Sequence, residues 1–560
     1  MRKEVLKLFL IDKRSLILCI SGTICWSLTM VKSGLMYPFG MGFWGANGHD
    51  GIWHIALINS LSRGLFTQAR NFQMPIFARS DIKNYHLGFD LLVAFIHNIT
   101  KIPTVNLYFQ ILPPILAFLI GLSCFSFVHV LTKSKRAGLW ATFFVYFGGD
   151  ISWILGRGES TFWSQQSIST LINPPFTLSL IFIFSGLYFL LKNKPLLAIL
   201  FFGILLETKA YAGVLILGSL FLAGGWEYLR EKKLDILKIF FGSVIVTLIL
   251  FLLLNRGSEN VFIFSPFWFL QNLFNLDRFF VPRLASAIAN YNLAHNWIKL
   301  GPALIVAFIV FWIGNMWTRL FKEFEVVRWL RHPKTITSID VFVTSMIIAG
   351  VAIPMLFIQK GTPWNTIQFF YYSLIFSAVL AGIALKNLKN KFFILIIILF
   401  TIPTTIITLK DVYIPGRPPA KISTEELTAL NFLSKQKDGV VLTYPFDSGA
   451  AKAAINNPPR PLYLYDSTAY VSAFSNKQVF LEDEVNLNIT NFDWQSRHKE
   501  IFDNFLNTLD QNTAREFLKN NNIKYVYWIK TQRAKLGETQ LGLTKMFENK
   551  EVFIYRVQNQ

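Results

Sequence analysis

Near the start of the chain, the run Asn47-Gly48-His49-Asp50-Gly51-Ile52-Trp53-His54 gathers two imidazoles around one carboxylate. An apolar stretch from 55 to 65 follows and reads as a helix ended by Gly64. If that helix begins at Asp50, Asp50 and His54 share one face, four residues apart. Two roles are open to Asp50. It could cap the helix, with its carboxylate on the exposed backbone N–H groups. Alternatively it could stand at a membrane surface as a base for a hydroxyl, or as a ligand for a divalent metal such as Mg²⁺ or Mn²⁺. His49 and His54 would then contact a substrate.

Asp150, in Phe147-Gly148-Gly149-Asp150, ends an apolar run. Ionisable groups there are costly unless paired or wet, so Asp150 is a second catalytic or metal-binding candidate; its alternative is plain solvation. Glu207-Thr208-Lys209 interrupts two apolar runs. Lys209 could hold a phosphate as a point charge, or Glu207 and Lys209 could satisfy each other. His86 and Asp90 lie four apart, after Asp81, in a short apolar segment. Lys360 precedes the aromatic run Phe369-Phe370-Tyr371-Tyr372, which reads as an interfacial belt. Arg278, Arg283 and His295 fall in a stretch suited to interfacial helices. The substrate-binding candidates are therefore His49, His54, His86, Glu207, Lys209 and Lys360.

The elements that position these residues are membrane spans. The 560 residues are 53% hydrophobic, and the apolar residues come in runs of about 20, the length that crosses a bilayer. Spans are expected near 15–32, 105–131, 137–155, 174–191, 195–207, 210–229, 236–254, 300–317, 339–358, 367–385 and 392–409. The net charge of +21 lies almost wholly before residue 410, in short basic clusters between runs. That is the positive-inside pattern, not a groove for nucleic acid. With every cluster cytoplasmic, eleven spans alternate without contradiction, and Asp50, Asp150 and Lys209 share the outer face. The stretch from 85 to 131 leaves the count at 11 to 13. Its first part is short and contains Asp90, and the long run after it carries Pro113-Pro114. Cys19, Cys25 and Cys124 all lie in apolar runs, which excludes a disulfide framework and a zinc cluster. No P-loop, His-Glu-x-x-His or Gly-x-Ser-x-Gly motif occurs.

This layout resembles the GT-C superfamily of membrane glycosyltransferases. One N-terminal span leads into a long outer loop (33–104) with the early acidic residue Asp50. A second outer loop carries Asp150, many spans follow, and a soluble segment ends the chain. The resemblance implies a mainly α, polytopic bundle over 1–409 and an extracytoplasmic domain over 410–560, in a cell (plasma or inner) membrane. It implies transfer of a sugar from a polyprenyl-phosphate-linked donor to a glycan, lipid or protein acceptor on the outer face. Asp50 would correspond to the first-loop catalytic or metal-binding carboxylate, and Asp150 to the second-loop acidic residue. His49-Asp50 stands in place of the usual acidic pair. Two rivals remain: a transporter or flippase of a lipid-linked sugar, and a non-catalytic membrane scaffold. No internal repeat favours transport.

From 410 onward the sequence is nearly charge-balanced. After the linker 415–419, Ser423-Thr424-Glu425-Glu426 opens a helix with a capping box. Strands are expected at 440–444, 462–465, 479–481, 525–529 and 552–557, and helices near 495–508 and 512–520. This is a small α/β domain for acceptor binding or for capping the site.

Overall fold

A computed structural model describes residues 12–64, 72–254 and 262–558; most of the first basic cluster, up to residue 11, lies outside them. Nine helices among the described residues are long and apolar enough to cross a membrane: Thr104–Thr132, Lys135–Leu155, Pro174–Leu191, Ala210–Glu231, Asp235–Leu254, Trp297–Arg331, Ser338–Leu356, Pro363–Asn387 and Lys391–Tyr413. The two other expected spans, 15–32 and 195–207, are helical over Lys13–Ser27 and Pro195–Thr208, both shorter than these nine. The chain is a multi-pass membrane protein.

The bundle is joined by close approaches as well as by apolar burial. Trp26 Nε1 donates to the Tyr146 carbonyl (2.8 Å), and Tyr146 donates its phenol to the Ala117 carbonyl (2.7 Å). A Cβ at Gly22 or Gly121 would fall within 2.5 Å of the Tyr146 side chain, so these two glycines make room for the ring. The stretch from 85 to 131 forms two helical segments. Gly88–Thr100 is a separate helix of 13 residues, about 20 Å long and too short to span. Thr104–Thr132 is one continuous helical run. Its Pro113-Pro114 pair sits in the first turn of the segment beginning at Leu112, after a wide turn at Leu107–Ile111. Missing N–H donors cost least in a first turn, so the prolines do not break the helix in two.

The C-terminal domain packs directly on the first loop. Strand β1 (Met36–Tyr37) pairs antiparallel with β2 (Gly40–Phe43), and β2 pairs antiparallel with β3 (Ala420–Ile422), Met41 facing Ile422. A second sheet contains β4 (Val440–Thr443), β5 (Ile523–Ile529), β6 (Leu543–Glu548) and β7 (Val552–Val557), in the order β4-β5-β7-β6. The segment at 462–465 is a short 3₁₀ turn rather than a strand, and Val479 forms only an isolated bridge to Val441. The expected Ser423 capping box is present: Glu426 N–H donates to Ser423 Oγ (3.0 Å).

Candidate active site

The Asp50–Gly64 helix is wedged between the bundle and the C-terminal domain, with Gly51 to Ile58 buried. Asn47 fixes the turn before it, donating to the Thr29 carbonyl (2.9 Å) and Ser33 Oγ (3.0 Å). On the far side Asn59 donates to the Ala473 carbonyl (2.8 Å) and Arg63 to that of Asn476 (2.7 Å). The start of the helix opens into a cavity of about 670 Å³. His49, Asp50, His54, His86 and Lys209 all line it, so five of the expected residues meet in one place.

Asp50 leaves about half of its side chain exposed (52%) in this cavity. Its carboxylate is engaged by His49 Nδ1 at 2.9 Å, while His49 Nε2 lies 3.3 Å from Asp483 of the C-terminal domain. Burial alone would lower the His49 pKa; the Asp483 and Asp50 carboxylates outweigh it and hold the imidazole well above its usual value of 6.5. The imidazolium therefore clamps two carboxylates, and Asp50 is oriented by His49. His54 is buried, with Nδ1 at 2.7 Å from Asp90 Oδ1 and its ring stacked 5.6 Å from Tyr108. His86 stacks on Tyr85 at 4.6 Å, and burial lowers its pKa well below 6.5.

Lys209 reaches the cavity because the helix breaks there: its backbone is extended (φ −158°, ψ 109°) between Pro195–Thr208 and Ala210–Glu231. Gly88 seats on this break, where a Cβ would meet the Glu207 carbonyl oxygen at 2.8 Å. Lys209 is 5% exposed. It donates to Asn173 Oδ1 (3.3 Å) and lies 5.3 Å from the Tyr211 ring. From it a chain of amides crosses the cavity wall. Asn173 donates to Gln368 (3.1 Å), Gln368 to Asn365, Asn365 to Gln359 (2.7 Å), and Gln359 to the Ile489 carbonyl of the C-terminal domain (3.1 Å). Phe262 and Trp364, each about half exposed, add apolar surface to the lining.

Three expected residues do not line the cavity. Asp150 is fully buried in the bundle, where the Ser152 N–H and hydroxyl donate to its carboxylate and Thr404 donates to its carbonyl (2.7 Å). Arg319, also fully buried, donates nearby to the Gly148 carbonyl (2.7 Å). Asp150 therefore belongs to the packing of this loop, and the joint Asp50–Asp150 site expected from sequence does not form. Glu207 is buried in the hinge outside the cavity lining. Lys360 is exposed in the turn after Gln359, and it is Gln359 that faces inward. Sequence reasoning missed Asn173, Gln359, Asn365, Gln368, Asp466 and Asn486. One signal was available: Asn173 directly precedes Pro174-Pro175 and caps their helix through the Phe176 N–H (3.2 Å).

No family model and no curated protein matches the chain in sequence. In structure it is similar to the Archaeoglobus fulgidus oligosaccharyltransferase solved with Zn and sulfate. The TM-score is 0.54 at 13% identity, over 91% of this chain and 68% of that one. The archaeal oligosaccharyltransferase AglB, solved with an inhibitory peptide and a dolichol-phosphate, gives 0.53 at 11% identity, over 92% and 69%. The fold is a GT-C fold. ArnT from Cupriavidus metallidurans, solved with undecaprenyl phosphate, matches over 96% of this chain and 97% of that one at 10% identity and a TM-score of 0.39.

Within this GT-C fold the donor set around Asp50 does not suit a divalent metal. Both His49 nitrogens face carboxylates. Asp483 accepts the Asn486 N–H on one oxygen (3.0 Å) and the Asn486 side-chain amide on the other (2.8 Å). Among the described residues no three His, Cys, Asp or Glu side chains are gathered as for a metal ion.

Proposed function

We propose that the chain is a membrane glycosyltransferase whose acceptor hydroxyl is deprotonated by Asp50 as the sugar leaves a polyprenyl-phosphate carrier. The acceptor oxygen bonds to the anomeric carbon, the bond from that carbon to the phosphate oxygen breaks, and the proton passes to Asp50. Attack from the face opposite the phosphate inverts the anomeric centre. The observation that carries this is the joining, in one cavity, of a half-exposed carboxylate oriented by His49 and a buried lysine with no carboxylate within ion-pair distance among the described residues. A base needs solvent-side access to a hydroxyl. A desolvated cation next to it stabilises the charge that develops on a leaving phosphate. The exposed aromatic surface of Phe262 and Trp364 suits the first isoprene units of the carrier.

The basic clusters support a cytoplasmic face opposite this cavity, so the C-terminal domain, which closes the cavity through Asp466 and Asn486, lies outside the cytoplasm. The test is turnover of defined polyprenyl-phosphate sugars by the detergent-solubilised full chain, read as release of free polyprenyl phosphate. The proposal expects release from at least one sugar-loaded carrier. Transport of intact carrier across vesicles without cleavage would sink it in favour of a flippase.

A further inference from the structure

The C-terminal domain holds a cavity of its own, about 400 Å³ in volume. That is within the range of small-ligand sites, roughly 300–1,000 Å³. It adjoins the Asp50 cavity. Asp466 lines both, Asp483 lines the second, and the His49 ring stands between Asp483 and Asp50. A ligand seated in the second cavity is therefore one imidazole's width from the proposed base.

The walls define the chemistry of that ligand. Half-buried Tyr444 and Tyr463 supply ring surface, with the buried Tyr470 and Tyr527 behind them, and the carboxylates of Asp466 and Glu484 supply acceptors. Asp447, Glu482 and Asp483 already accept hydrogen bonds from Ala450, Val471 and Asn486. Asp466 uses one oxygen for the Ser467 N–H (2.8 Å), and its other oxygen accepts no hydrogen bond among the described residues. The Thr468 hydroxyl is buried (4% exposed) on the cavity wall and has no hydrogen-bond partner among the described residues. A buried hydroxyl left unpartnered costs stability and marks a place for an incoming group.

Acceptor oxygens beside ring faces suit a ligand rich in hydroxyl donors with flat C–H faces. Among the described residues the lining sets five acidic side chains against one cation, Arg533, an excess of acceptors that favours a ligand with several hydroxyl donors over a peptide, which brings a carbonyl for every N–H. An anionic lipid headgroup would meet the carboxylates of Asp447, Asp466 and Asp483. We propose that this cavity seats the acceptor and that the acceptor is a carbohydrate. The assignment as acceptor rests on the glycosyltransferase reading above; the carbohydrate specificity of the cavity does not.

The test is binding of maltose and chitobiose to the detergent-solubilised full chain, with no donor present, read by saturation-transfer NMR and intrinsic fluorescence. A Ser-Gly hexapeptide is run in parallel. Wild type is expected to bind at least one disaccharide and not the peptide. Ala450→Trp, which fills the cavity from its wall, is expected to abolish binding. Thr468→Val, which removes only the hydroxyl, should weaken it about five-fold, and it decides the matter if the tryptophan variant fails to fold. Disaccharide binding unchanged by both variants, or binding of the peptide alone, overturns the proposal. Saccharide binding without any turnover of polyprenyl-phosphate sugars would overturn the transferase and leave the cavity assignment standing. Turnover without saccharide binding would overturn this proposal alone.

Discussion

Lys209→Met separates a functional lysine from a structural one. The ammonium is 5% exposed, with Asn173 Oδ1 at 3.3 Å as its hydrogen-bond acceptor and no ion-pair partner among the described residues. A buried charge without a partner is costly to the fold. Methionine has nearly the same length and removes that cost, so thermal stability should hold or rise. A charge-assisted hydrogen bond to a phosphate oxygen is worth roughly 1.5–3 kcal/mol, so losing it should slow transfer by about 10- to 100-fold. Kinetics on a polyprenyl-phosphate sugar should place the loss mainly in kcat, because the leaving phosphate gains charge in the transition state. Lys209→Arg should recover part of the rate. The assay pairs a melting curve with initial rates in the same detergent. A variant with a lower melting temperature and unchanged transfer would refute the reasoning, because Lys209 would then be holding the hinge and not a phosphate.

Other outcomes follow from the same geometry. Asp90→Ala should destabilise the chain by roughly 3–5 kcal/mol, because it leaves His54 without its buried partner at 2.7 Å; denaturant titration reads this. Asp150→Asn should lower stability while leaving the kcat of the folded fraction within about three-fold, since Asp150 lies outside the cavity; a loss comparable to that of Lys209→Met would restore it to the catalytic set. Burial pushes Glu482 up to about 8, against the 4.5 of the free carboxyl, despite N–H donors at Val471 and Ser472. A folded pKa above the unfolded one gives stability that is complete below about pH 4.5 and is lost as pH rises through about 8. Glu482→Gln should therefore flatten the fall in melting temperature between about pH 5 and pH 9, and an unchanged slope would assign it elsewhere. EDTA should leave transfer within about two-fold, given that His49 and Asp483 are already engaged; a loss restored by Mn²⁺ would show that Asp50 takes a cation in the working enzyme.

The membrane architecture was legible because its signals are local. An apolar run announces a span wherever it packs, and basic clusters announce a side. The sidedness read from those clusters puts Asp50, Asp150 and Lys209 on one face; His49, Asp50, His54, His86 and Lys209 line one cavity and Asp150 does not, and the break at Glu207-Thr208-Lys209 showed in sequence as charge between apolar runs. Asp150 misled because its partner Thr404 lies 254 residues away and nothing local foretells it. The amides of Asn173, Gln359, Asn365 and Gln368 carry no charge or motif, and they matter only as a chain across four segments. The contributions of Asp466 and Asp483 depend on how the C-terminal domain docks. That docking is fixed by β2 pairing with β3 across nearly 400 residues of chain, a register that neither short strand, of four and three residues, reveals alone.

The central claim is that Asp50 is the base. The most direct measurement is single-turnover sugar transfer from a polyprenyl-phosphate donor by wild type and by Asp50→Asn, with folding verified by matched melting curves. Asparagine keeps the size and the hydrogen-bonding oxygen but cannot accept the proton. The account predicts loss of transfer by at least about a hundred-fold, with donor binding retained. Transfer at the wild-type rate in a folded Asp50→Asn protein would contradict it.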